Sequence, residues 1–385
     1  MSIFLNQFKI IKPKNLISQS DLLAWIIKAH QKAEQFSEST DPMSADTIAK
    51  LFERYGVKQN QISQRYTECN DMFSETFESN EVYNIQSHKN EGTSISNRSE
   101  FFSERALNIF KKIYELSDTN TDIKKRPDHL IHVTCTGYVS PSAAQRIITD
   151  KKWNQPTDVT HAYHMGCYAA MPAVRLAKSL VQAESLQNPN FTTDIVHTEM
   201  CTLHMNPASQ TPEQMVVQTL FADGHVKYTA SQKPNLNGKN FKVIALLERI
   251  LPDSQQDMSW IPAPWGMQMN LSREVPAKIK LELKNFSKEL FAKAGLDAAS
   301  ALKSVFAIHP GGPKIIESVQ EVLELSEDQV MHSKKILFER GNMSSATLPH
   351  VWNEILEHNY PLGTKVISYA FGPGLTLFGS VFEVS

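Results

Sequence analysis

The chain has 385 residues, 41% of them hydrophobic, which is enough apolar material for a sizeable core in one large domain or two. A formal net charge of −2 offers no basic surface for nucleic acid, and no apolar run reaches membrane-spanning length. Four cysteines, at 69, 135, 167 and 201, lack any short paired spacing, and MSIFLNQFKIIKPKN at the start has no long apolar core. A reduced cytoplasmic enzyme of α/β class is therefore expected, rather than a disulfide-stapled secreted domain.

Residues 1–19 read as an irregular or strand-like lead-in. Ser20 is the expected N-cap of a helix through Phe36, with Leu22, Leu23, Trp25, Ile26 and Ile27 on its buried side. A second helix is expected over Ala45–Tyr55. Lys50, Arg54 and Lys58 recur at four-residue intervals across its end, either as a solvated basic face or as a landing strip for the phosphates of coenzyme A or a carrier arm. Residues 70–99 are polar and aperiodic and read as a surface excursion, after which a helix runs from Glu100 to Leu116. Leu130–Thr136 (LIHVTCT) reads as a buried strand, followed by a Gly-Tyr-Val-Ser-Pro loop.

Within HAYHMGCYAAMPAVRLAK, at 161–178, a glycine and then Cys167 precede an alanine-rich segment, Tyr168–Leu180, with helical spacing. Unpaired N–H groups and the macrodipole at a helix start favour an anion, so a thiol at that point has a reason to ionise and act as a nucleophile. Asp194–Thr202 reads as a strand. Phe221–Thr229 and Lys242–Leu246 read as strands broken by an Asp-Gly turn.

The remainder echoes what precedes it. Ser304–His309 is an expected strand entering the glycine loop Pro310–Pro313, Asn342 precedes a small-residue helix start, and Phe371–Glu383 is an expected Gly-turned hairpin like the one at Phe221. Cys135 precedes His309 by 174 residues and Cys167 precedes Asn342 by 175, which suggests a duplicated βαβ unit with helices between or around two sheets. Cys167, His309 and Asn342 all fall at strand-to-loop or loop-to-helix junctions, where α/β folds expose side chains to a cleft. Together they suit a cysteine nucleophile with a histidine partner and an amide donor.

Four segments, GCYAAMPAVRLAK, AIHPGGPKIIESV, GNMSSATL and SYAFGPGLTL, resemble in order and approximate spacing the signature segments of type III polyketide synthases, the chalcone synthase-like enzymes. VTCTGYVSPS, TLFADG and MSWIPAPWGMQMNLSREVP support the likeness, which is convincing over 125–385 and loose before that. The resemblance implies a thiolase-like fold of duplicated βαβ halves in a layered αβαβα architecture, divided as 1–235 with the nucleophile and 236–385 with the histidine and asparagine. It implies a homodimer that loads an acyl starter on Cys167 and extends it with malonyl-CoA by decarboxylative Claisen condensation, with His309 and Asn342 as oxyanion donors. The substrates are then acyl-CoA and malonyl-CoA, with an acyl carrier protein as the alternative donor, and no metal or further cofactor. The implied pocket holds Phe221 at the tunnel junction, Met269 at a second phenylalanine position, His204 at a threonine position, Met267, and Gly374 in the cavity-scaffolding loop. Lys50, Arg54, Lys58 and Lys314 fall at the phosphate-binding positions or the tunnel mouth.

Other chemistries fit less well. His161, His164 and Cys167 form an H-x2-H-x2-C string, but on an extended segment the two histidines point to opposite faces and no fourth zinc ligand is nearby. The glycines at 311–312 and 372–374 lack the GK[ST] ending of a nucleotide loop. A cysteine protease would explain neither Asn342 nor the repeat. Two alternatives stay open: a ketosynthase that makes a single condensation, and a catalytically silent subunit of the same fold.

Overall fold

The computed structural model describes residues 2–115, 126–153 and 156–385. The chain opens with strands β1 (Phe4–Ile11) and β2 (Asn15–Ser18), helices α1 (Gln19–Glu34) and α2 (Ala45–Tyr55), β3 (Gln64–Thr67) and α3 (Ile95–Ile113). There follow β4 (His129–Thr134), α4 (Ala143–Asp150), β5 (Asp158–Tyr163), α5 (Ala170–Glu184), β6 (Thr192–Met200), α6 (Pro212–Leu220) and β7 (Asp223–Ser231). Next come β8 (Phe241–Ile250), the ribbon β9 (Met258–Ala263) and β10 (Gly266–Leu271), α7 (Val275–Lys293) and the short α8 (Ala298–Ala301). The chain closes with β11 (Val305–Ile308), α9 (Pro313–Leu323), α10 (Glu327–Arg340), α11 (Thr347–Glu357), β12 (Lys365–Gly372) and β13 (Thr376–Val384).

Among the described residues, nine strands form one mixed sheet in the order β11-β12-β13-β8-β1-β7-β6-β4-β5. One pattern occurs in it twice. β4 lies parallel to β6, which is antiparallel to β7, which is antiparallel to β1. β11 lies parallel to β12, which is antiparallel to β13, which is antiparallel to β8. The two patterns join edge to edge where β1 meets β8 antiparallel, Phe4 opposite Lys242 and Leu5 opposite Phe241. The expected two sheets are thus halves of one continuous sheet.

Strand alternation then fixes the layers. A central apolar cluster takes Ala173, Val174 and Ala177 from α5 and Val351, Trp352 and Ile355 from α11. It also takes Ile131 and Ile195 from one half-sheet and Val366 and Phe382 from the other. The neighbouring strand residues face outward: Leu130 and Val196 toward α1, α3 and α4, and Ile367, Leu377 and Val381 toward α7 and α9. The result is the layered αβαβα arrangement, with α5 and α11 as its middle layer. Alanines on α5 keep that layer thin, and the strands flanking it are buried on both faces, as in parallel sheets covered on two sides.

Several local expectations are corrected. The α1 cap is Ser18, whose hydroxyl accepts from the Asp21 N–H, not Ser20. The helix expected from Glu100 begins at Ile95, capped by Ser94, and its expected end at Leu116 lies outside the described residues. The 70–99 stretch lies largely at the surface, as expected, but is pinned in place: the buried Asp71 carboxylate accepts the N–H groups of Glu81, Val82 and Tyr83 at 3.0, 2.8 and 2.7 Å. A loop organised on one carboxylate needs no periodicity, which is why its sequence looks featureless. Asp223-Gly224 forms no turn either. It begins β7, with Asp223 buried and accepting from the Thr202 and Glu68 N–H groups at 2.9 and 2.7 Å. Since β7 pairs with β1 and not β8, Phe221 lies in no hairpin, whereas β12 and β13 do form the one expected near Phe371. No helix among the described residues is long and apolar enough to cross a membrane.

Trp352 carries the middle layer. It is fully buried, donates to the Ser368 hydroxyl at 2.9 Å, and packs edge-on against Tyr228 of one half and Phe382 of the other. Trp352→Ala is expected to lower stability by about 3–5 kcal/mol in denaturant unfolding. A loss below about 1 kcal/mol would mean the halves are held together elsewhere.

Candidate active site

Cys167 lies in the turn that leads into α5, two residues before the N-cap Ala169 rather than within the helix. Gly166 has φ +83°, and a Cβ on it would come within 2.5 Å of Pro373 in the β12–β13 turn. A Cβ on Gly372 would strike the Tyr168 ring at 2.1 Å. Each glycine backbone receives a ring from the other segment, so the second-half hairpin clamps the stretch that presents the sulfur. This is where the SYAFGPG glycines exert their effect. Gly374 itself, with φ +85°, accepts from the Ser254 hydroxyl at 2.8 Å and lines no cavity described here; Pro373 does.

His309 extends β11, its N–H bonded to Tyr369 O at 2.7 Å, and Asn342 follows Gly341, which has φ +73°. Both are 1% exposed. Cys167, His309 and Asn342 line one cavity of ≈ 40 Å³, walled by Phe221, Met269 and Ile315 among others. The Asn342 Oδ1 accepts from Ser344 N–H at 2.9 Å and the Thr347 hydroxyl at 3.2 Å, which turns the amide NH2 the other way, toward the cavity it shares with Cys167. Neither ring nitrogen of His309 has a hydrogen-bond partner. A buried imidazole with two unpaired nitrogens on a cavity wall is poised for a group that enters the cavity.

The electrostatics differ from the expected thiolate. Burial pushes the Cys167 thiol up to about 12; hydrogen bonds from Ser344 and Asn342 oppose this, while the Glu199 charge adds to it. Burial also drives His309 down to about 3. A helix start worth a fraction of a charge opposes only part of this desolvation, so burial biases both groups toward their neutral forms. Ionisation then requires a proton to pass from sulfur to ring, creating both charges together.

A second cavity, ≈ 20 Å³, adjoins the first across Cys167, Phe221, Met258 and Met269, and is lined by Cys135, Cys201, Trp260 and Ser344. Phe221 also borders a third, beside His204 and Trp260, so it stands at the junction of all three. His204 therefore lies next to the chamber of Cys167 rather than in it. Its Nε2–H donates to Thr136 O at 2.9 Å and its Nδ1 accepts from Met267 N–H at 3.1 Å, which makes it a fixed wall. Met267 is buried but lines none of these cavities; its backbone holds His204. Chambers of this size hold little more than water, so an acyl chain must displace flexible lining residues such as Met258 and Met269.

The basic residues divide into two pairs. Lys314 precedes Ile315 on the cavity wall, and Lys58 follows Val57, which packs in the apolar cluster containing Cys167 and Ile316. Lys50 is exposed and paired with Asp46 at 2.6 Å, and the Arg54 guanidinium lies 5.1 Å from the Tyr55 ring centroid. His161 bonds Ser142 and His164 bonds Tyr138, and no group of three or more ligating side chains among the described residues could hold a metal.

Sequence reasoning missed Glu199. Fully buried, it accepts from Cys135 N–H at 3.0 Å, from the Thr136 hydroxyl at 2.9 Å, and from Ser345 Oγ–H. It thus ties the end of β4 to the segment before α11. A carboxylate in the otherwise buried run DIVHTEMCT was the available signal.

Residues 242–384 match the family model described as chalcone and stilbene synthases, C-terminal domain. Among characterised sequences, the chain is 29% identical over 255 residues to Probable polyketide synthase 1 of Dictyostelium discoideum, covering 65% of this chain and 8% of that protein. It is 26% identical over 257 residues to Type III polyketide synthase C of Arabidopsis thaliana, covering 65% and 66% of the two chains. The chain therefore spans less than two thirds of the length of these relatives. The structure resembles the C-terminal type III polyketide synthase domain of Steely1, a type I/III hybrid from Dictyostelium, with TM-score 0.82 at 25% identity over 100% of this chain and 99% of that one. It shares its fold with 1,3,6,8-tetrahydroxynaphthalene synthase of Streptomyces coelicolor, with TM-score 0.79 at 20% identity over 99% of both chains.

Alkylation tests the protonation state. The rate of Cys167 modification by iodoacetamide is expected to rise steadily with pH from neutrality through pH 10, because the raised thiol pKa keeps the thiolate scarce. A plateau near neutral pH would reveal a standing thiolate–imidazolium pair instead.

Proposed function

We propose that the chain, whose residues 242–384 match the chalcone and stilbene synthase C-terminal domain, is a type III polyketide synthase-like condensing enzyme that carries an acyl chain on Cys167 and extends it from malonyl-CoA. In this reading it acts as a cytoplasmic homodimer of two-half subunits, 1–235 and 236–385, with coenzyme A thioesters as substrates and no metal or prosthetic group. The observation that carries it is the convergence of Cys167, His309 and Asn342 on one buried cavity from opposite halves of a duplicated fold.

The first half-reaction transfers an acyl group. His309, neutral and with both nitrogens unpaired, takes the thiol proton as Cys167 attacks the thioester carbonyl, and coenzyme A leaves with a proton. The second begins when malonyl-CoA loses CO2. The electron pair of the broken C–C bond forms an enolate whose charge grows on the thioester oxygen. His309 and the Asn342 NH2 donate hydrogen bonds to that oxygen, which are strong because the cavity excludes water. The carbanion then attacks the acyl carbonyl on Cys167, a C–C bond forms, and the sulfur leaves. Lys58 and Lys314, beside the wall that carries Ile315, are assigned to the phosphates of the incoming coenzyme A. Phe221 and Met269, shared between chambers, are assigned to the junction between that arm and the growing chain.

Incubation with a panel of acyl-CoAs and labelled malonyl-CoA, read by mass spectrometry, tests the reaction. Products carrying one or more malonyl-derived two-carbon units are expected, and their number separates an iterative synthase from a single-condensation ketosynthase. Cys167→Ala should abolish product. His309→Ala or Asn342→Ala should slow malonyl-CoA decarboxylation by about 10²–10³-fold, the usual cost of losing one oxyanion donor. Undiminished turnover in Cys167→Ala would end this reading.

A further inference from the structure

Arg65 is fully buried, and the reaction above does not use it. Its position follows from an accounting of carbonyls. The last turn of any helix leaves C=O groups without partners inside the helix. At the end of α6 the carbonyls of residues 218 to 221 are all taken from outside the helix. Arg65 NH1 donates to Gln218 O at 2.8 Å and to Phe221 O at 2.7 Å. Gln19 Nε2 donates to Thr219 O at 2.9 Å, and the Asn342 N–H donates to Leu220 O at 3.0 Å. Gln19 Oε1 in turn accepts from Arg65 Nε at 2.8 Å. The return bond, Ala222 N–H to Asn342 O at 2.8 Å, completes a backbone bridge between Phe221 and Asn342.

Arg65 therefore grips the carbonyls on either side of the one to which Asn342 is bonded. It also touches the other side of that junction: a Cβ on Gly341 would lie 3.1 Å from Arg65 Cγ and 3.0 Å from Leu220 O. A buried guanidinium is costly, and an apolar side chain of similar volume is usually no less stable. Arg65 forms no ion pair among the described residues, and its NH2 has no hydrogen-bond partner. What the charge does accomplish is to complement the negative end of α6 and to fix two carbonyls with the N–H groups of one guanidinium nitrogen.

We propose that Arg65 is a positioning residue for decarboxylation: through the α6 carbonyls it sets the Phe221–Asn342 bridge, and so the place of the Asn342 amide relative to Cys167. This rests on the condensing reaction proposed above. Cys167 is presented by a separate clamp, the Gly166–Pro373 contact, so the two half-reactions should respond differently to changes at Arg65.

Arg65→Met and Arg65→Lys test this, with acylation of Cys167 by acyl-CoA and CO2 release from malonyl-CoA measured separately on each variant. Arg65→Met should decarboxylate about 10²-fold more slowly, as when an oxyanion donor is displaced, and lose far less in the rate of acylation. Arg65→Lys, whose ammonium can reach one carbonyl, should recover part of that loss and carries the same test should Arg65→Met fail to fold. Undiminished decarboxylation in a folded variant would overturn the proposal, and so would an equal fall in both rates with a lowered melting temperature, which marks a purely structural role. Activity surviving in Cys167→Ala would overturn the reaction itself, a separate outcome.

Discussion

Two backbone hydrogen bonds, Asn342 N–H to Leu220 O and Ala222 N–H to Asn342 O, stitch the end of α6 to the segment before α11. They join parts of the chain that no local preference could bring together. On one side of this bridge the Phe221 ring meets three cavities; on the other, the Asn342 amide is turned toward Cys167 by Ser344 and Thr347. Burial of α5 and α11 as one middle layer makes the bridge possible. Their N-terminal approaches come from equivalent places in the two copies of the strand pattern, so the nucleophile of one half meets the amide of the other. Duplication followed by divergence of side chains thus builds one asymmetric site from two similar frames.

Dryness sets the chemistry of that site. Removing water makes a charge on sulfur or imidazole unfavourable, and it equally strengthens any hydrogen bond offered to a developing oxyanion. Burial biases both Cys167 and His309 toward the uncharged form. Glu199, also raised by its burial, reinforces this by opposing a second negative charge nearby. The neighbouring thiols Cys135 and Cys201 are likewise pushed well above the ordinary range. Three thiols on one wall therefore compete poorly as free nucleophiles, and proximity to His309 singles out Cys167, the one cysteine that shares its cavity.

Much of this was legible because the relevant signals are local. α2 falls on the expected span Ala45–Tyr55, and Cys167, His309 and Asn342 were visible at junctions between elements. The repeat was visible as a matched spacing, and the strand pattern bears it out. What was not legible depends on partners distant in sequence. Asp71, Asp223 and Glu199 are buried carboxylates satisfied by backbone N–H groups, and Arg65 is a buried cation satisfied by carbonyls; in the sequence each looks like an ordinary polar residue. The same limit applies to Met267 and Gly374, whose backbones, rather than side chains, support the pocket. The burial that opposes a thiolate at Cys167 was hidden for a related reason: a helix start can be read from sequence, but the depth at which it is buried cannot.

The account stands on one sulfur among three being the acyl carrier. Peptide mapping by mass spectrometry after brief exposure to an acyl-CoA, without malonyl-CoA, addresses this directly. The account predicts a single acyl group on the peptide containing Cys167, and unmodified peptides containing Cys135 and Cys201. Acylation of either of those two, or of none, would contradict it.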